Sequence, residues 1–346
     1  MAVDKVLLAA PRGFCAGVEM AIKALAWMVR IFEPPVYCYH EIVHNRLVVD
    51  RFRQLGVVFV DDVSEVPEGA PLMLSAHGSA PDVVAAARAN GGFVVDAVCP
   101  LVTKVHHEVK VRAGKGYTVL YVGHEGHDEA AGTMAVAPES VRLLQTEEDV
   151  DGLDLDPGTP VAFLAQTTLS VDEWSAVQAA ARGRFPDMWM PGRSDLCFAT
   201  TNRQSALKAI AHRSDAVVVI GSSNSSNTMA LERVAKGEGC PLVLRVNAAD
   251  EIPEGLTGTV GVTSGASAPE EVVRAVVERL APVEGVEVVT VTSEDEYFPP
   301  PRELRELLRA TAVATAFSLF APIDTDNPLA DDRAVAASDV LDALAC

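Results

Sequence analysis

The chain is built as three rounds of one pattern, and that repeat limits its fold more tightly than any single motif. Short apolar runs alternate with helical patterns: VLLAA (6–10), LMLSA (72–76), FVVDA (93–97), TVLYVG (118–123), VAFLA (161–165), AVVVIG (216–221) and TVGVT (259–263). Strands that alternate with helices predict parallel sheets joined by crossover helices. Behind Cys15, the residues Val18, Ile22, Leu25, Val29 and Phe32 keep helical spacing until Pro34 and Pro35 end the run. Three stretches, LSAHGSAPDVV (74–84), LAQTTLSVDEW (164–174) and VTSGASAPEEV (262–272), each read as a strand, a small polar loop and a helix start. Ser79, Ser170 and Ser267 stand where an N-cap belongs, with Asp82, Glu173 and Glu270 three residues on. The last two pairs read as capping boxes and the first as a near version.

Landmarks recur when measured from Cys15, Cys99 and Cys197. The separation to the capped serine is 64, 71 and 70 residues, and to a mid-unit polar residue (His44, His127, Ser225) it is 29, 28 and 28. Such a period marks divergent copies of one unit. We therefore expect an α/β fold of three pseudo-symmetric units with mainly parallel sheets. They would cover residues 15–98, 99–195 and 196–284, with an N-terminal strand (1–14) packed on the third unit and a C-terminal segment (285–346). Open α/β sheets bind ligands beyond the carboxyl ends of their strands. Three units with those ends on one axis bring the cysteines and the polar loops to one point.

Three thiolates from three units suit an iron–sulfur cluster or a zinc ion. A cubane held by three cysteines leaves one iron uncapped by protein, which makes it a Lewis acid as well as an electron store. A three-cysteine zinc site normally recruits a histidine and closes. Plain buried cysteines are the remaining reading. Cys38, Cys240 and the terminal Cys346 read as core or surface thiols, and no CxxC pair occurs. His44, His77 and His127 fall in strand-to-helix loops on the inferred site face. With Ser225, Ser226, Asn227 and Ser267 at helix starts, they make a site suited to an anion such as a diphosphate, although NSSN also reads as a simple cap. Glu129, two residues after His127, is a proton donor if drawn into a desolvated site, and otherwise a first-turn glutamate favouring the helix dipole. Thr167 and Thr168 offer a hydroxyl pair at another strand end. Arg12 and Lys104 are the basic residues nearest the cysteine loops, while His106, His107, His124 and His212 carry no site argument.

The net charge of −20, from 28 basic and 48 acidic residues without a basic stripe, argues against a nucleic-acid binder. No apolar run approaches the roughly 20 residues needed to cross a bilayer; the longest, Ala310 to Ala321, is interrupted by Thr311, Thr315 and Ser318. The opening MAVDKVLLAAPRGF reads as a first strand rather than a signal peptide. A soluble cytoplasmic protein is expected, in which cysteines are free thiols or metal ligands rather than disulfides.

APRGFCAGV (10–18), HEIVHN (40–45), SAHG (75–78), DAVCPLVTKVH (96–106), the GHEGH stretch ending at Glu129, QTTLS (166–170), DLCFATTNRQ (195–204), GSSNSSN (221–227) and GVTSGASAPE (261–270) resemble the 4-hydroxy-3-methylbut-2-enyl diphosphate reductases, the LytB or IspH family. The motifs run in order over roughly residues 5 to 305. The resemblance implies three α/β units around a central [4Fe–4S] cluster with three cysteine ligands, Cys15, Cys99 and Cys197, and one open iron. It implies reductive dehydroxylation of an allylic diphosphate to isopentenyl and dimethylallyl diphosphate, the last step of the non-mevalonate isoprenoid pathway, with electrons from a ferredoxin- or flavodoxin-type donor. His44, His77, Ser225, Ser226, Asn227 and Ser267 would hold the diphosphate, with His127 in the same pocket. Glu129 would supply protons and Thr167 would position the substrate hydroxyl. No GxGxxG follows a strand, which agrees with electrons arriving by protein contact rather than from a bound nicotinamide. Two departures stand out: Asp128 puts an extra acid beside Glu129, and residues 311–346 run past the usual family end as a tail or a short docking helix. Competing readings are a hydro-lyase using the open iron only as a Lewis acid, and a zinc-stabilised binding module for phosphorylated metabolites.

Overall fold

The computed structural model describes residues 3–156, 158–318 and 331–344. The chain opens with β1 (Val3–Ala10), α1 (Ala16–Ile31), β2 (Val36–Tyr39), α2 (Arg46–Gln54), β3 (Val57–Val60), β4 (Leu72–Leu74), α3 (Pro81–Ala89) and β5 (Val94–Asp96). It continues with α4 (Pro100–Gly114), β6 (Thr118–Val122), α5 (Asp128–Met134), β7 (Val141–Leu144), α6 (Glu147–Asp151), β8 (Val161–Ala165) and α7 (Val171–Arg184). The last part holds α8 (Phe198–Ala211), β9 (Ala216–Ile220), α9 (Ser226–Gly237), β10 (Val243–Val246), β11 (Gly258–Ser264), α10 (Glu270–Leu280), β12 (Val286–Thr290), α11 (Arg302–Ser318) and α12 (Ala337–Leu344).

The strands form three sheets, ordered β3-β2-β4-β5, β7-β6-β8 and β10-β9-β11-β1-β12, and every pairing is parallel. The pseudo-symmetry is visible in the strand order. In each sheet the first strand after a cysteine helix (β2, β6, β9) lies between the two that follow it, the next on one side and the third on the other. The segment leading into each cysteine pairs with that third strand: β1 with β11, β5 with β4, and Trp189 by a single parallel bridge to Ala162 of β8. All seven apolar runs are strands. Every residue of β8 and β9 is buried, as expected of parallel strands covered by helices on both faces.

Helix α1 starts directly after Cys15 and buries Ala21, Ile22, Leu25 and Met28. Of the three expected serine caps, only Ser170 holds: it accepts from the Glu173 amide, and Glu173 reaches back to the Ser170 amide. The other two are corrected by prolines, whose fixed φ suits a helix start. Pro81 opens α3 with Ala80 as its cap, and Pro269 caps α10. Ser79 is left without a side-chain partner, and Ser267 instead donates to the His44 carbonyl at 2.9 Å.

The C-terminal segment returns to the first sheet. Leu304 and Leu308 of α11 and Ala337 and Leu341 of α12 join the core around α1. Glu19 accepts from the Ala337 amide at 2.6 Å, and the buried Lys23 donates to the Asp332 and Val335 carbonyls at 2.8 and 3.1 Å. The docking-helix reading of the tail thus holds for Ala337–Leu344. Cys346, and the part of the Ala310–Ala321 run beyond residue 318, lie outside the described residues. Among the described residues no helix is long and apolar enough to cross a membrane.

Candidate metal and substrate site

Cys15, Cys99 and Cys197 are the N-cap residues of α1, α4 and α8. Each cysteine amide donates to the loop after the third strand of a sheet: Cys15 to the Ala266 carbonyl, Cys99 to Ala76 and Cys197 to Thr167, at 3.3, 3.0 and 2.9 Å. This one repeated hydrogen bond turns the three thiols to a common centre. A Cβ placed on Gly17 would lie 2.9 Å from the Cys99 sulfur and 3.9 Å from the Cys15 sulfur, so glycine keeps the floor between them clear.

Left to themselves, the buried sulfurs favour the neutral thiol over the thiolate. Burial and the neighbouring Cys15 push the Cys99 thiol up to about 12, against the pull of the Leu101 and Val102 amides. Burial, then Cys15 and Cys99, raise Cys197 as well. Three thiolates can coexist here only with metal cations among them. Among the described residues, the set of three donors gathered within 4.8 Å of one another is His44, His77 and Asp128; the sulfurs are spread wider. A tetrahedral zinc would draw its sulfurs to about 4 Å of each other, closer than these three gather. Three helix N-termini pointing at them favour an anionic cluster.

The nine other site residues expected from the sequence line one cavity of about 100 Å³ with the three cysteines, together with Val18, Val43, Leu101, Thr168 and Thr200. His44 and His77 stack at 3.9 Å, and His127 meets both edge-on at 5.3 and 6.0 Å. Both His44 nitrogens and His77 Nδ1 are buried without a hydrogen-bond partner. Two stacked imidazoles can offer N–H groups side by side, a pair of donors suited to an extended anion. Burial, then the other imidazoles, drive His77 well below the ordinary histidine range, and burial with His44 takes His127 to about 4. His127 Nδ1 accepts from the Glu129 amide at 3.1 Å as the cap of α5. That bond assigns the proton of the neutral ring to Nε2.

Ser225 caps α9 and accepts from the Thr228 amide at 3.4 Å, as its sequence suggests. Asn227 bridges two loops, accepting from the Ala266 amide at 3.0 Å and donating to Thr200 Oγ1 at 3.2 Å. Ser226 Oγ accepts from Gln166 Nε2 at 3.2 Å.

Glu129 is 2% exposed. Its carboxylate accepts from the Thr167 amide at 2.7 Å and the Thr167 hydroxyl at 3.0 Å. Burial outweighs those bonds and raises it to about 7. Asp128 behaves oppositely. Burial alone would raise it, but a hydrogen bond from His40 and the nearby imidazoles hold it below the usual range. The extra acid is therefore an ion-pair partner of His40, with Oδ1 3.0 Å from His40 Nδ1, while Oδ2 faces the His77 and His44 rings at 3.7 and 3.9 Å.

Sequence reasoning missed His40, His124 and Gln166. His124 Nδ1 lies 3.3 Å from Ser226 Oγ, and its backbone amide donates to Gln166 Oε1. His40 and His124, with Asp128 and Arg233, line an outer recess of about 530 Å³ that shares His44, His127 and Ser226 with the central cavity. The signal was their place four and three residues before His44 and His127 in the same loops. Arg12 and Lys104, left undecided, pair with Glu270 and Asp195. Cys38 is buried in β2, and Cys240 is half-buried before β10.

Residues 6–281 match the family model described as LytB protein. A 4-hydroxy-3-methylbut-2-enyl diphosphate reductase of Rhodopirellula baltica is 47% identical over 314 residues, covering 90% of this chain and 98% of that one. The protein of the same name from Mycobacterium ulcerans is 48% identical over 307 residues, covering 87% and 92%. The solved structure of the E-1-hydroxy-2-methyl-but-2-enyl-4-diphosphate reductase from Plasmodium falciparum superposes with a TM-score of 0.86 at 30% identity, covering 89% of this chain and 99% of that one. The chain therefore belongs to the LytB protein family, an iron–sulfur-dependent family of reductases.

Proposed function

We propose that the protein reductively removes the hydroxyl of 4-hydroxy-3-methylbut-2-enyl diphosphate, giving isopentenyl and dimethylallyl diphosphate as the last step of the non-mevalonate isoprenoid pathway. The observation that carries this reading is a single cavity holding three cysteine sulfurs, a wall of imidazoles and hydroxyls, and a carboxyl, Glu129, raised to about 7. Cys15, Cys99 and Cys197 would hold a [4Fe–4S] cluster with one iron free of protein ligands, which when bound supplies single electrons and a Lewis-acidic iron.

The chain's own residues do the rest. His44, His77, Ser225, Ser226, Asn227 and Ser267 bind the diphosphate at the N-terminus of α9, where amides and dipole favour an anion. His127 donates from Nε2 into the same pocket. Thr167 orients the substrate hydroxyl while its amide and Oγ1 hold the Glu129 carboxyl in place. Glu129, neutral below about pH 7, gives the proton with which that hydroxyl leaves as water. Electrons reach the site from a ferredoxin- or flavodoxin-type protein in the cytoplasm.

Turnover by anaerobically purified protein, with and without a low-potential reductant, tests the assignment. Reduction of the allylic diphosphate only when reductant is present supports it. Hydration or dehydration without reductant would show a hydro-lyase instead.

A further inference from the structure

Arg203 is the largest fully buried side chain among the described residues, with no exposed surface. It lies in α8, six residues after Cys197. A guanidinium out of water is costly unless its N–H groups find acceptors and its charge a partner. Here both are found, and the acceptors are telling. Nε and Nη2 donate to the Gly13 carbonyl at 3.1 and 2.8 Å, and Nη2 also reaches the Phe14 carbonyl at 3.3 Å. Nη1 donates to the Ala199 carbonyl at 2.8 Å and to both Glu294 oxygens at 2.9 and 3.1 Å. One side chain thus binds the two carbonyls just before Cys15 and a carbonyl two residues after Cys197.

The turn it grips needs gripping. Gly13 sits at φ +71° and donates its amide to Ser264 Oγ at 2.9 Å, so the loop is pinned from one side by β11 and from the other by Arg203. Glu294, which supplies the counter-charge, is itself held by Asn202 Nδ2 at 3.0 Å. It lies beyond residue 281, where the family match ends. Neither Arg203 nor Glu294 lines the cavity.

We propose that Arg203 is a positioning residue for the metal centre, locking the Cys15 loop to the Cys197 helix, with Glu294 fixing the guanidinium. The inference rests on the reading of Cys15 and Cys197 as cluster ligands. Its physical content is a fixed separation between two sulfurs that lie 182 residues apart in the chain. When one sulfur lets go of an iron, a rigid loop returns it, whereas a loosened loop lets the centre disassemble. Outer partners that orient metal ligands commonly change metal retention by about 10- to 100-fold.

The test compares anaerobically purified wild type with Arg203→Lys, Arg203→Met and Glu294→Gln. The rate at which visible iron–sulfur absorbance is lost to a chelator is read beside the thermal midpoint. Arg184→Met is the control. Arg184 donates to the Val150, Asp151, Leu153 and Leu155 carbonyls in the second unit, so its loss destabilises the fold without touching a cysteine loop. We expect Arg203→Met and Glu294→Gln to lose the centre at least about tenfold faster than wild type, and Arg203→Lys to recover part of that. Arg184→Met should lower the midpoint yet keep the wild-type loss rate. Should Arg203→Met fail to fold, Glu294→Gln, at a partly exposed position, carries the comparison. Wild-type loss rates in Glu294→Gln, or loss rates that follow the thermal midpoint in every variant including Arg184→Met, overturn the proposal. A wild type with no iron–sulfur absorbance sinks the ligand reading as well.

Discussion

Replacing Glu129 by glutamine separates proton supply from everything else in the site. Glutamine keeps the shape. Its carbonyl can accept the Thr167 amide now bonded at 2.7 Å, and its NH2 can donate to the Thr167 oxygen at 3.0 Å after the hydroxyl turns. The transferable proton is gone. A positioned general acid is worth about 10²- to 10⁴-fold, or roughly 3–5 kcal/mol of barrier. Anaerobic turnover with a reduced viologen dye should fall by that factor while substrate still binds. The wild type should lose activity as pH rises through about 7, and the variant should lack that limb. Stability gives an independent reading. Folding raises the carboxyl from 4.5 to about 7, so the folded state holds the extra proton, and stability is lost as pH climbs through that window. The loss at pH 8 is on the order of 3 kcal/mol. Glu129→Gln should therefore melt higher than wild type at pH 8 and nearly the same at pH 5. Near-normal turnover with the alkaline limb intact would remove Glu129 from the mechanism.

Three further outcomes follow from the same geometry. Cys99→Ser should lose the visible chromophore, whereas Cys38→Ser in β2 and Cys240→Ser should keep it; full iron in Cys99→Ser would refute the ligand assignment. Gly17→Ala puts a carbon 2.9 Å from the Cys99 sulfur, so it should load less iron per chain than wild type, and equal loading would show that the floor can yield. Thr167→Val removes the hydroxyl bond that pulls Glu129 down but keeps the amide bond, so the alkaline limb should move upward, and an unmoved or lower limb would contradict the pairing.

Much of this was legible in the sequence because of symmetry. Strands buried on both faces, such as Val161–Ala165 and Ala216–Ile220, announce themselves as unbroken apolar runs. The strands β2, β3, β7 and β10 leave part of their length exposed and so break the apolar signal, and β12 at the sheet edge exposes alternate residues. The cysteines and their partner loops were readable because each occupies the same place in its repeat. Ser79 and Ser267 were misread as caps because Pro81 and Pro269 set the helix starts after them. His40 and Asp128 form a pair across two sheets, a proximity that no local spacing encodes. The same is true of Arg203 and Glu294, 91 residues apart.

The account stands on three cysteines sharing a cluster in which one iron has no protein ligand. Mössbauer spectroscopy of anaerobically purified, ⁵⁷Fe-enriched protein examines that directly. We expect about four irons per chain, one of them distinct from the rest and altered when the allylic diphosphate is added. Four equivalent irons indifferent to substrate, or a zinc ion in place of iron, would contradict it.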